Sequence, residues 1–150
     1  EPATIFYRLL HDIRGKVFAK ISLDNLSTFP IPNGTLFQKD ILLEKALFLS
    51  KNTKALFELK SEFNFYLKSK FSIDILNNKL LNWNLLDFND FIKELIKLNI
   101  KLNVEDEFSF MSLFEKQKKS ANEIQSVIDN ANKEIDNIVY ELYDISPDEI

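Results

Sequence analysis

Residues 110–142 read FMSLFEKQKKSANEIQSVIDNANKEIDNIVYEL, and the spacing of their apolar and small residues decides the fold. Phe110, Phe114, Ala121, Ile124, Ile128, Ala131, Ile135, Ile138 and Leu142 recur at alternating steps of four and three, interrupted only by Gln117. This is a heptad seam held over four repeats, with Lys, Glu, Asp and Asn filling the positions between. A stripe so narrow cannot bury itself and requires a partner helix of similar length. The simplest product of the pattern is a coiled-coil hairpin with no chemistry of its own.

The partner is legible upstream. From a cap at Thr35, a second seam runs through Leu42, Ala46, Leu49, Thr53, Leu56, Lys60, Phe63, Leu67 and Phe71. The two helices are expected over about 35–71 and 105–143, each roughly 55 Å long. Paired antiparallel with Leu49 opposite Ile128, they place Lys60 and Gln117 in one layer. A register shifted by a heptad strands each polar group among apolar neighbours, at about 1–3 kcal/mol apiece. Additional apolar residues (Ile41, Leu43, Leu47, Phe48, Phe57 and Leu59) widen the first helix's stripe, so more than one helix is expected to cover it there.

Between the helices, residues 72–104 read as a small α/β cap. Leu80 to Leu86 suits an extended piece around Trp83, and Asp87 caps a helix carrying Phe88, Phe91, Ile92, Leu95 and Ile96. Ile100, Leu102 and Val104 alternate as in a strand. The expected class is mainly α: a long antiparallel coiled-coil-like hairpin with that cap. At the ends, Ile5, Phe6, Leu9 and Leu10 form a helical apolar set with no capped start, which reads as the cut end of something longer. Ser146, Pro147 and Glu149 form a capping box.

Composition excludes several kinds of chemistry. The 45% hydrophobic content and fourteen Phe suffice for a folded core. With no Cys there is no thiolate nucleophile or thiolate metal site, and His11, the only histidine, cannot make a paired-imidazole centre. Gly15 and Gly34 stand too far apart for a phosphate-cradling loop. No apolar run approaches about 18 residues, which makes a cytoplasmic location the expectation. Net charge is −4 but uneven: residues 1–75 hold 11 basic and 8 acidic side chains, and residues 76–150 hold 8 and 15. Glu105, Asp106 and Glu107 meet the positive end of a helix dipole, and Asp87 and Asp90 read as cap residues, so no carboxylate set points to catalysis or to a metal.

Two stretches carry a resemblance. The first is Lys20-Ile21-Ser22-Leu23-Asp24-Asn25-Leu26, then Phe29-Pro30-Ile31-Pro32 leading into the first long helix. The second is Lys133-Glu134-Ile135-Asp136-Asn137-Ile138-Val139-Tyr140-Glu141-Leu142-Tyr143, followed by Ile145 and Asp148-Glu149-Ile150. Together with Asn82-Trp83 and Leu86-Asp87-Phe88 in order between them, the chain resembles the TaqI-like C-terminal specificity domain of bacterial restriction–modification proteins. Type I specificity subunits share the plan.

The resemblance implies that residues 1–34 close a target-recognition domain and that residues 35–150 form its helical spacer. Phe29, Pro30, Ile31, Pro32, Ile135, Asp136, Val139, Tyr140, Leu142 and Tyr143 are the motif residues. The implied partners are double-stranded DNA and the methyltransferase or nuclease portion of the same protein or complex. S-adenosylmethionine is expected in the parent adenine-N6 methyltransferase and not in this stretch, which lacks the Asn/Asp-Pro-Pro-Tyr/Phe motif and is not expected to be an enzyme alone. The basic excess places the phosphate contacts at Arg8, Arg14, Lys16 and Lys20, whose bland alternative is solvated surface charge. His11-Asp12 departs from the family's usual Asn-Ser. A helical protein–protein scaffold without DNA contact is the alternative function.

Overall fold

The structure, a computed structural model, describes residues 32–146. Among these residues, four α-helices and one 3₁₀ turn follow in order: α1 Leu36–Phe71, α2 Asn78–Leu81, the 3₁₀ turn Trp83–Leu85, α3 Phe88–Lys97 and α4 Val104–Leu142. The chain is mainly α. Compact packing divides it into two units, and both long helices contribute to each. Among the described residues the first unit comprises 32–47 with 131–146, and the second 48–130.

Local chemistry explains where each helix starts and stops. At α1, the Thr35 hydroxyl accepts from the Gln38 backbone N–H (3.2 Å), while the Thr35 N–H donates to Gln38 Oε1 (2.9 Å), a reciprocal capping box. Asn77, Asp87 and Asn103 accept from the N–H groups of Leu80, Asp90 and Asp106 at 2.9, 2.7 and 2.8 Å, so each satisfies one of the open donors of the helix it precedes. The three longer helices end alike, each on a non-glycine residue in the left-handed region: Ser72 (φ 52°), Asn99 (φ 61°) and Asp144 (φ 52°). In each case the next residue, an isoleucine, donates back to a carbonyl five positions earlier. Ile73 reaches Lys68 at 3.0 Å, Ile100 reaches Leu95 at 3.1 Å and Ile145 reaches Tyr140 at 3.0 Å. These are Schellman closures, and Ile73 and Ile100 also pack against the core.

The core of the second unit is aromatic. Phe63 lies 4.3 Å from Trp83 between ring centroids, Phe91 lies 4.7 Å from Phe114, and Phe91 stacks on Phe110 at 5.7 Å and 10°. Phe63 also touches both Phe110 (6.3 Å) and Phe114 (6.5 Å), so the last part of α1 meets the first part of α4. In the first unit Lys45 on α1 forms an ion pair with Glu134 on α4. The two seams differ in burial. Along α4, Phe110, Phe114, Ala121, Ile128 and Ala131 are buried, whereas on α1 only Phe63 and Leu67 are, and Ala46 and Thr53 are exposed.

The expected α/β cap is not what forms: among the described residues there is no strand. Leu80 to Leu86 splits at Asn82 into the end of α2 and the 3₁₀ turn, with backbone bonds Leu81 to Asn77 and Leu86 to Trp83. Ile100 and Leu102 lie in the connection to α4, and Val104 is already helical. A single extended segment with no second strand leaves its N–H and C=O groups unpaired, and the Ile100 N–H is taken by the Schellman closure of α3. The expected helical set at residues 5–10, the motif residues Phe29, Pro30 and Ile31, and the capping box completed at Glu149 lie outside the described residues.

Candidate functional site

Arg8, Arg14, Lys16 and Lys20, the expected phosphate contacts, also lie outside the described residues. The motif residues that are described fall in the first unit. Ile135, Asp136, Val139, Tyr140, Leu142 and Tyr143 are half-buried at the end of α4 and its C-cap, and burial raises the Tyr143 hydroxyl above its ordinary pKa. Pro32 belongs to the same unit, in the turn before α1. The Gly34 N–H bonds the Pro32 carbonyl (3.2 Å), Lys39 Nζ donates to Asn33 Oδ1 (2.8 Å), and a Cβ on Gly34 would stand 2.9 Å from Leu142 Cδ2. Only glycine permits so close an approach of this turn to Leu142 without a shift. The turn that precedes α1 therefore meets the end of α4, a hundred residues on, at Gly34 and Leu142.

The second unit holds a polar cluster that sequence reasoning missed. Glu94, on α3, is buried, and its carboxylate accepts from Lys97 Nζ (2.7 Å) and Asn77 Nδ2 (3.1 Å), with Lys79 Nζ at 3.4 Å. The Lys97 hydrogen bond leads in holding its pKa below the ordinary glutamate value, against an opposing desolvation effect. Lys97 stands three residues after Glu94 and was visible as a helical pair; Asn77 and Lys79 arrive only through the fold. Asp90 pairs with Lys93 (2.6 Å), which lowers the Asp90 pKa and raises that of Lys93. This cluster tethers α2 to α3 and offers no free base.

Lys60 and Gln117 do not satisfy each other. Lys60 Nζ donates to Asn82 Oδ1 at 2.8 Å, and Gln117 lines a cavity of about 270 Å³ with Leu59, Glu62, Phe63, Tyr66 and Leu113. A larger groove of about 470 Å³ opens where α3 and α4 begin, lined by Phe88, Asn89, Val104, Glu107, Phe108 and Met111. Glu105, Asp106 and Glu107 occupy the first turn of α4, where the helix dipole favours them. Among the described residues, no group of three or more His, Cys, Asp or Glu converges as a metal site, and no helix is long and apolar enough to cross a membrane. What the described residues provide is a packed aromatic core and exposed apolar surface.

No curated protein and no solved structure matches the chain. Residues 36–139 match a protein family described as "Domain of unknown function (DUF8810)", from the first residue of α1 to near the end of α4. With more than half of its length inside that match, the chain belongs to the DUF8810 family.

Proposed function

We propose that this chain is the non-catalytic C-terminal part of a restriction–modification protein. Its long helices pair as an antiparallel coiled-coil-like hairpin that sets a DNA-recognition segment against a methyltransferase core. The observation that carries this is the contact of Gly34 with Leu142. The exit from the Phe29-Pro30-Ile31-Pro32 stretch and the Ile135–Tyr143 signature, which together carry the resemblance to specificity domains, are neighbours around it. A spacer needs a fixed junction of this kind, because a recognition segment held loosely loses the orientation on which readout depends. S-adenosylmethionine belongs to the parent methyltransferase, the location is cytoplasmic, and double-stranded DNA is the partner of Arg8, Arg14, Lys16 and Lys20.

Fluorescence anisotropy with a labelled duplex at several salt concentrations tests the proposal. Four cations on phosphates give a log–log salt slope of about −3 to −4, and the Arg8/Arg14/Lys16/Lys20 quadruple-Ala variant abolishes it. Tight binding insensitive to salt and to those changes, or no binding at all, overturns the assignment. The second reading, a protein–protein scaffold, draws on Leu36, Phe37, Leu43 and Leu47, all large apolar side chains exposed on α1 in the first unit. Absence of DNA binding with a retained fold favours that reading.

A further inference from the structure

The groove at the start of α4 combines three features that point to one kind of occupant. Val104, Phe108 and Met111 follow each other at steps of four and three, so they share one helix face. Val104 is 85% and Phe108 79% exposed, although they border the aromatic core through Phe88. Glu107 stands in the same wall, half-buried, and its carboxylate makes no hydrogen bond or ion pair among the described residues. The neighbouring carboxylates on α3 are already matched, Asp90 by Lys93 and Glu94 by Lys79 and Lys97. Glu107 is therefore a negative charge in the wall of an otherwise apolar groove, with no cation paired to it among the described residues.

We propose that this groove docks a basic amphipathic helix of a partner protein. Apolar side chains of that helix cover Phe108 and Met111, and a Lys or Arg on it pairs with Glu107. Charge complementarity selects this occupant. Glu107 is the one charged side chain among the described residues that line the groove, and Asp87, also acidic and exposed, precedes Phe88 at the N-cap of α3. A second copy of the chain would set one acidic first turn against another in a parallel pairing. In an antiparallel pairing centred on the groove it would oppose Glu107 to Glu107. An anionic membrane surface is repelled by the same carboxylates. This surface goes beyond the proposed DNA role and does not depend on it.

The test uses the full chain and a labelled synthetic helix of Leu and Lys, about five turns long, read by fluorescence anisotropy. Saturable binding is expected for this peptide and none for its Leu/Glu counterpart. Glu107→Lys and Phe108→Asp each weaken binding about tenfold or more, while Glu58→Lys, the same charge change on exposed α1, leaves it unaltered. Both groove variants change exposed or half-exposed positions, and far-UV circular dichroism checks that they fold. Equal losses in Glu58→Lys and Glu107→Lys, equal binding of the acidic peptide, or no saturable binding each overturn the proposal. So does concentration-dependent dimerisation in sedimentation that Phe108→Asp abolishes, because the occupant is then a second copy.

Discussion

Cysteine pairs test the register of the two long helices within the second unit. Phe63 meets Phe110 and Phe114, and Tyr66 meets Phe110, at centroid distances of 6.3, 6.5 and 6.1 Å. Two heptads further along each helix from the Phe63–Phe114 contact lie Leu49 and Ile128, the latter buried. Leu49→Cys with Ile128→Cys is expected to oxidise readily. Leu49→Cys with Ala121→Cys, one heptad away, is expected to stay reduced. At 1.5 Å per residue a heptad moves the partner about 10 Å along the axis. Added to the lateral separation, that exceeds the roughly 7 Å limit between Cα atoms for an unstrained disulfide. Closing a loop of about 80 residues stabilises by at most roughly 4.5 kcal/mol, so the oxidised 49/128 variant should also unfold at higher urea. The assay is mobility on non-reducing gels after mild oxidation, with urea titration of the closed form. Closure of 49/121 with 49/128 left reduced refutes the register. Failure of both refutes packing of the helices at that level.

Three further outcomes are expected. Phe91→Ala removes a fully buried ring in contact with Phe110 and Phe114, and should cost about 3–5 kcal/mol in urea denaturation. Phe65→Ala, at a ring 72% exposed, should stay within about 0.5 kcal/mol, and similar costs for the two would contradict the core as described. Ser72→Gly relieves a left-handed residue at the end of α1 and should stabilise by about 1 kcal/mol; a loss of stability would show that the Ser72 side chain contributes something the backbone does not explain. Glu94 has a lowered folded-state pKa, so its contribution is full above the unfolded glutamate value near 4.5 and is lost as pH falls through the folded value. Glu94→Gln should therefore be less stable than the parent at pH 7 and equal to it at the acid end, and a gap in urea midpoint that does not change with pH would refute the linkage.

The exposed apolar residues of α1 show why a pattern can be read without its consequence. Leu43, Leu47, Phe48 and Phe57 widen the stripe in the sequence, and in the structure all four are exposed. Periodicity says which residues share a helix face, but not whether another element arrives to cover it. The same limit applies at the groove. Phe108 and Phe110 are two residues apart and so about 200° apart around α4; one is buried and the other stands in solvent. Glu105, Asp106 and Glu107 all suit the positive end of the helix dipole, and nothing in their spacing separates Glu107 as the one lining an apolar wall.

What the sequence determined by itself is local in origin. Helical character follows from the four-three seams, and the starts of the helices follow from Thr35, Asn77, Asp87 and Asn103, whose side chains bond to groups three residues away. The ends follow from a polar residue and an isoleucine at Ser72-Ile73, Asn99-Ile100 and Asp144-Ile145, a signal present in the sequence though not read there. Interactions between distant positions were decided by tertiary structure. Whether residues 80–86 and 100–104 became strands depended on a pairing partner, and short apolar runs do not reveal one. Glu94 became a buried hub because Asn77 and Lys79 were brought to it, and Lys60 found its hydrogen-bond partner in Asn82, which the fold brought within reach. Each of these rests on groups more than a dozen residues apart, whose meeting depends on how the helices pack and not on the identity of their neighbours in the chain.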